Sequence, residues 1–119
     1  MKFVIGGAAS GKLTYVRSLG YGETQLANAV LDERPVLYNL QDLVTALNEE
    51  APVENFSLLL EALLKKEVVV CDEVGAGVIP GNRKEREARE ATGRLCNQLA
   101  QQATSVIRLV AGIPIVIKG

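Results

Sequence analysis

Residues 3–12 read Phe3-Val4-Ile5-Gly6-Gly7-Ala8-Ala9-Ser10-Gly11-Lys12, an apolar run, a glycine-rich loop and then a lysine at the start of a helical stretch. Glycines let such a loop turn its backbone N–H groups inward around an anion. The helix start adds partial positive charge, and the lysine reaches the outer phosphates. The pattern predicts a phosphate-binding loop whose ligand is a nucleoside triphosphate, ATP or GTP, held by Gly6, Gly7, Ala8, Ala9, Ser10, Gly11, Lys12 and Leu13. The plainer alternative is a turn of small residues used only for close packing.

The spacing departs from the full pattern at one place. A hydroxyl directly after the lysine normally ligates Mg²⁺, and here that residue is Leu13. Thr14 is a poor substitute, because one step along a helix rotates a side chain by roughly 100°. Metal binding is therefore a weaker expectation than phosphate binding.

Working outward, Lys12 to about Leu19 reads as a short first helix ended by Gly20 and Gly22. Glu23 to Arg34 shows no clean period. Pro35-Val36-Leu37-Tyr38 reads as a strand, followed by Asn39 as a helix cap and an apolar stripe of Leu40, Leu43, Val44 and Leu47. Beyond Pro52, a second stripe comprises Phe56, Leu59, Leu60, Leu63 and Leu64, with Lys65-Lys66 suited to the helix end. Asn82, with Glu85 three residues on, predicts the start of a long helix that buries Ala88, Ala91, Leu95 and Leu99 and runs to about Ala103. Glu85/Arg89 and Glu90/Arg94 have the favourable spacing for surface ion pairs on that helix. The C-terminal stretch reads as a strand at 106–110, a Gly112-Ile113-Pro114 turn and a last extended piece, Ile115-Val116-Ile117.

Val68-Val69-Val70-Cys71 is an apolar, β-branched run ending in Asp72-Glu73, the signature of a central parallel strand buried on both faces. Two carboxylates at the carboxyl end of such a strand face the ligand crevice. Asp72 and Glu73 are the metal candidates, and Lys12 and Glu73 are the catalytic ones, Lys12 for charge on a transferred phosphoryl group and Glu73 for orienting a hydroxyl. The bland alternative is that the acidic pair caps the next turn.

The chain has 119 residues, 48% of them hydrophobic, which suits one domain spanning 1–119 with an adequate core. A formal net charge of −1 gives no basic footprint for nucleic acid. No apolar run reaches the ~20 residues of a membrane span, so a soluble, cytoplasmic protein is expected. Cys71 and Cys96, distant in sequence and without any histidine, do not make a zinc set and read as reduced, buried thiols. So small a domain has reason to bury more apolar surface by forming a homo-oligomer. Alternating strands and helices with an anion loop at a strand end predict a three-layer α/β fold with a mainly parallel sheet.

Two stretches resemble the adenosylcobinamide kinase/adenosylcobinamide-phosphate guanylyltransferases of cobalamin biosynthesis, which are P-loop proteins. Gly6 to Lys12 is similar to that family's GGxRSGKS, with Ala9 in place of arginine and Leu13 in place of serine. Asp72-Glu73-Val74-Gly75-Ala76-Gly77-Val78-Ile79-Pro80 is similar to its NEVGxGIVP. Arg86, Arg89, Gly93, Arg94, the run Val110-Ala111-Gly112-Ile113-Pro114 and Lys118 follow in register. The resemblance implies transfer of a γ-phosphoryl group from ATP or GTP, with Mg²⁺, to a corrinoid hydroxyl. It also implies that guanylyl transfer through a covalent histidine is not carried by these residues, which include no histidine. The segment between the two motifs is shorter than in full-length members, and Cys96 stands where the family usually has asparagine. A non-catalytic nucleotide- or corrinoid-binding module remains the alternative.

Overall fold

A computed structural model of the chain describes residues 1–50, 56–73 and 81–119. Six strands form one sheet in the order β2-β3-β4-β1-β5-β6. They are β1 (Lys2–Gly6), β2 (Leu26–Asn28), β3 (Val36–Tyr38), β4 (Val68–Asp72), β5 (Ser105–Val110) and β6 (Ile113–Lys118). The first five run parallel, and β6 returns antiparallel along β5. The helices are α1 (Lys12–Ser18), α2 (Leu40–Glu50), α3 (Ser57–Leu64) and α4 (Arg83–Gln102).

The apolar runs explain which strands lie in the middle. Val68, Val69, Val70 and Cys71 are all buried, because β4 has β1 and β3 as neighbours and helices on both faces. On one face Val16 of α1 packs with Val4, Val36, Val68, Val70 and Ile107. On the other, Leu40 and Val44 of α2, Leu63 of α3, and Ala91, Leu95 and Leu99 of α4 cover Phe3, Leu37, Val69 and Cys71. The result is the expected three-layer α/β fold, and each fully buried leucine or valine contributes about 1.5–3 kcal/mol.

Several local expectations need correction. The aperiodic stretch after α1 holds β2, only three residues long, in which Leu26 and Ala27 are buried against β3. Asn39 precedes α2 with φ 56°, and its side chain bonds Asn28 and Gln41 instead of capping the helix backbone. On α2, Leu47 is exposed and Asn48 takes the buried position, its amide donating to the Lys84 carbonyl at 3.4 Å. Lys66 donates to the Asp32 and Arg34 carbonyls rather than to the end of α3. Pro52 lies outside the described residues.

The start of α4 is as predicted, with Asn82 Oδ1 accepting from the Glu85 N–H at 2.9 Å. The Glu85 carboxylate also accepts from the Gly81 N–H at 2.8 Å, and Arg83 and Glu87 form an i,i+4 ion pair in this first part of the helix. The final turn lies earlier than expected. Ala111 and Gly112, with φ 49° and 78°, make a two-residue hairpin of the kind that needs positive φ at both centres. Pro114 therefore sits inside β6, which it can do because β6 is a sheet edge. Among the described residues no helix is long and apolar enough to cross a membrane.

Candidate functional site

The β1 and β4 strands are adjacent and in register, with Gly6 opposite Asp72. The chain leaves β1 toward α1 on one face, whereas α4, the next helix after β4, covers the other. Such a divergence opens a crevice at the carboxyl ends of the two strands. Loop 7–11 fills the mouth of that crevice. Two of its residues take left-handed conformations, Ala9 at φ 57° and Gly11 at φ 90°. Gly6 is required by space, since a Cβ there would lie 2.8 Å from the Leu109 carbonyl and collide with Ser10 Oγ. The loop is fastened by Ser10 N–H to the Gly7 carbonyl at 3.2 Å and by Gly112 N–H to the Ser10 carbonyl at 2.9 Å.

Lys12 is the buried cation of the site, 8% exposed. Its Nζ donates to the Gly7 carbonyl at 2.6 Å and lies 2.8 Å from Asp72 Oδ1 and 3.5 Å from Ser10 Oγ. A desolvated ammonium requires such partners, and the carboxylate supplies the opposite charge. A cavity of about 330 Å³ opens beside this pair, lined by residues 8–14 together with Tyr38, Asn39, Val70 and Asp72. Its size fits a polyphosphate and part of a larger molecule.

The two acidic candidates separate. Strand alternation puts Asp72 on the α1 face with Val70, whereas Glu73 follows Val69 and Cys71 to the other side. The Glu73 carboxylate forms a fork with Arg108, at 2.5 Å from Nε and 3.1 Å from Nη2, and its N–H donates to the Gly6 carbonyl at 2.8 Å. This carboxylate holds the Arg108 pKa above its ordinary value, first by the hydrogen bond and then by charge. Glu73 does not line the cavity. Arg108, Tyr38 and Asn39 were absent from the sequence-derived set. Arg108 carried one usable signal, a lone charge inside an apolar strand.

Only part of the donor set suits a divalent cation. Leu13 contributes no oxygen, both Glu73 oxygens face Arg108, and Asp72 gives one oxygen to Lys12. Among the described residues there is no group of three or more histidine, cysteine, aspartate or glutamate donors. Mg²⁺ that keeps its waters and rides on phosphate oxygens needs no more than one carboxylate, which Asp72 can be. The glycine-rich segment 74–80 lies outside the described residues. Arg86 and Arg94 are exposed on α4 and Arg89 is half-buried there; none of them lines this cavity.

A larger cavity, about 570 Å³, lies at the opposite end of the strands between residues 31–35 and α3. Two of its three cations are already committed, Arg34 to Asp32 and Lys66 to two backbone carbonyls. The smaller cavity, with a buried lysine beside a loop of turned backbone, is the better candidate.

Residues 26–117 match the family model described as cobinamide kinase / cobinamide phosphate guanyltransferase. The match contains Asp72, Glu73 and Arg108 and begins after loop 7–11. The chain is similar to the bifunctional adenosylcobalamin biosynthesis protein CobU of Escherichia coli (strain K12), 33% identical over 87 residues that cover 73% of this chain and 47% of the relative. It is similar also to the protein of the same name from Salmonella typhimurium (strain LT2), 37% identical over 76 residues, or 61% of this chain and 42% of the relative. The chain thus spans less than half the length of these curated relatives in the matched regions.

Proposed function

The chain belongs to the cobinamide kinase / cobinamide phosphate guanyltransferase family, and on that premise we propose that it binds ATP or GTP at residues 6–13 and transfers the γ-phosphoryl group to a corrinoid hydroxyl. The observation that carries this reading is the buried Lys12 ammonium, held at the cavity wall by Asp72 and the Gly7 carbonyl. A lysine placed there for packing alone would cost desolvation without return.

In this reading the loop N–H groups cradle the β- and γ-phosphates. Lys12 exchanges the Gly7 carbonyl for a phosphate oxygen and stabilises the charge that develops on the transferred group. Asp72 orients Lys12 and would hold Mg²⁺, which would supply further charge neutralisation. The acceptor hydroxyl approaches along the wall formed by Tyr38 and Asn39. Glu73 acts on that hydroxyl only after release from Arg108. Guanylyl transfer by way of a histidine falls outside the proposal, since these 119 residues contain no histidine. The same reading includes a homo-oligomer, supported by the exposed Ile113, Ile115, Val116 and Ile117 of the edge strand β6.

Calorimetric titration with ATP and GTP, with and without Mg²⁺, tests nucleotide binding directly. Binding is expected, weakened about tenfold or more by Lys12→Ala, as for loss of a charged hydrogen bond. No binding of either nucleotide would sink the proposal. Leu13 and the Glu73–Arg108 fork favour a second reading, a nucleotide-binding module without turnover. Nucleotide binding without phosphorylation of cobinamide would select it.

A further inference from the structure

Cys71 and Cys96 are separated by the whole 72–95 segment in sequence, yet their sulfurs lie 3.6 Å apart, both as free thiols. Cys71 is fully buried near the end of β4, and Cys96 is half-buried on α4. Cys96 donates to Cys71 Sγ, and Cys71 donates onward to the Asp72 carbonyl at 3.3 Å. Neighbouring Ala91, Leu95 and Leu99 press α4 onto the same sheet face, so the approach of the two sulfurs is imposed by the core. We infer that Cys71 and Cys96 are a modification site, a dithiol that a peroxide converts into an intramolecular disulfide fastening α4 to β4 beside Asp72.

A disulfide has sulfurs about 2.05 Å apart, so the pair must close by about 1.5 Å, a distance within the reach of side-chain torsion at the half-buried Cys96. The order of events follows from the environment. Cys71 is shut away in the core, so the half-buried Cys96 is the sulfur that meets oxidant first. The Cys96 sulfur attacks one oxygen of hydrogen peroxide, the O–O bond breaks, and the departing hydroxide takes the Cys96 proton away as water, leaving a sulfenic acid. Cys71 sulfur then attacks Cys96 sulfur. The S–OH bond breaks, and the leaving hydroxide takes the Cys71 proton away as water. Two thiols and one peroxide thus yield one disulfide and two waters, the sulfurs losing two electrons and the peroxide oxygens gaining them. The site stands whether or not the neighbouring cavity takes a nucleotide.

The test is graded hydrogen peroxide on the native protein, followed by thiol counting under denaturing conditions and intact-mass measurement. Both thiols should vanish together in the monomer, with loss of two hydrogens and full recovery by dithiothreitol. Cys96→Ser should slow oxidation of Cys71 by about tenfold or more, because only the buried thiol remains. Cys71→Ala, which keeps a small apolar side chain in the core, should leave Cys96 as a sulfenic acid that a 1,3-dione traps. Three results would each overturn the inference: oxygen addition at one cysteine without loss of the other thiol, disulfide-linked dimers in place of the internal bridge, or no thiol loss at all.

Discussion

Lys12, in the first turn of α1, and Asp72, the last residue of β4, are joined at 2.8 Å across a crevice between two parallel strands, and the lysine is almost fully withdrawn from water. Register explains the meeting. Gly6 pairs with Asp72, so the carboxylate lies at the level where the loop leaves β1 and the chain turns back into α1. The pair is a structural tie and, in the proposed function, the charge arrangement that a phosphate would enter.

Removing the negative partner should therefore destabilise the fold. Asp72→Asn leaves the Lys12 ammonium buried with only neutral acceptors, and we expect a loss of about 1–3 kcal/mol in urea unfolding. Lys12→Met in the same background should recover most of it, giving a coupling of about 1 kcal/mol or more in a double-mutant cycle. Additive effects would show that the two side chains are held independently.

Two adjacent glycines should behave differently. A methyl at Gly6 would meet the Leu109 carbonyl at 2.8 Å as well as Ser10 Oγ, whereas one at Gly7 meets nothing within 4 Å. Gly6→Ala should cost about 2 kcal/mol or more and lower Tm clearly, and Gly7→Ala should stay within about 0.5 kcal/mol. Equal thermal shifts for both variants would contradict the close packing of β1 against β5.

How much of this was readable beforehand depended on the range of the interaction. The loop from Gly6 to Lys12 and the run Val68 to Asp72 announced themselves because each signal is contiguous in sequence. The β2 strand did not, since Leu26-Ala27-Asn28 is too short to show a period and becomes a strand only by pairing with β3. The Glu73–Arg108 fork was hidden for a related reason: it depends on two strands separated by β1 and on their shared register. The same holds for Cys71 and Cys96, whose distance in sequence concealed a contact made by the packing of α4. Reading Asn39 as a cap failed because its side chain found Asn28, a partner supplied by the unrecognised β2.

At the far end of the sheet, Arg34 holds Asp32 through three side-chain bonds of 2.6–3.1 Å and a backbone N–H bond of 3.0 Å. These bonds, the side-chain ones first, lower the Asp32 pKa from 3.8 to about 2. A depressed carboxylate pKa stabilises the folded state above the unfolded value, and that contribution is lost as pH falls from near 3.8 toward about 2. Carbon-detected NMR titration should place the Asp32 midpoint well below that of an ordinary aspartate, and Arg34→Ala should return it toward 3.8. An unchanged midpoint in the variant would remove Arg34 as the cause.

Leu13 offers the sharpest question about chemistry at the proposed site. Its half-buried side chain helps line the cavity at the position after Lys12, where a hydroxyl would normally reach Mg²⁺. Leu13→Ser trades a partly buried apolar group for that hydroxyl, at a stability cost of about 1 kcal/mol. With Asp72 lining the same cavity, the new oxygen should raise Mg²⁺-dependent ATP or GTP affinity by about fivefold, comparable to one net hydrogen bond. Titration of the variant with and without Mg²⁺ checks this. A gain confined to the Mg²⁺ condition would locate the metal beside Lys12 and show that the site lacks one ligand. Equal affinities in wild type and variant would mean that Asp72 serves Lys12 alone and that no metal assembles there.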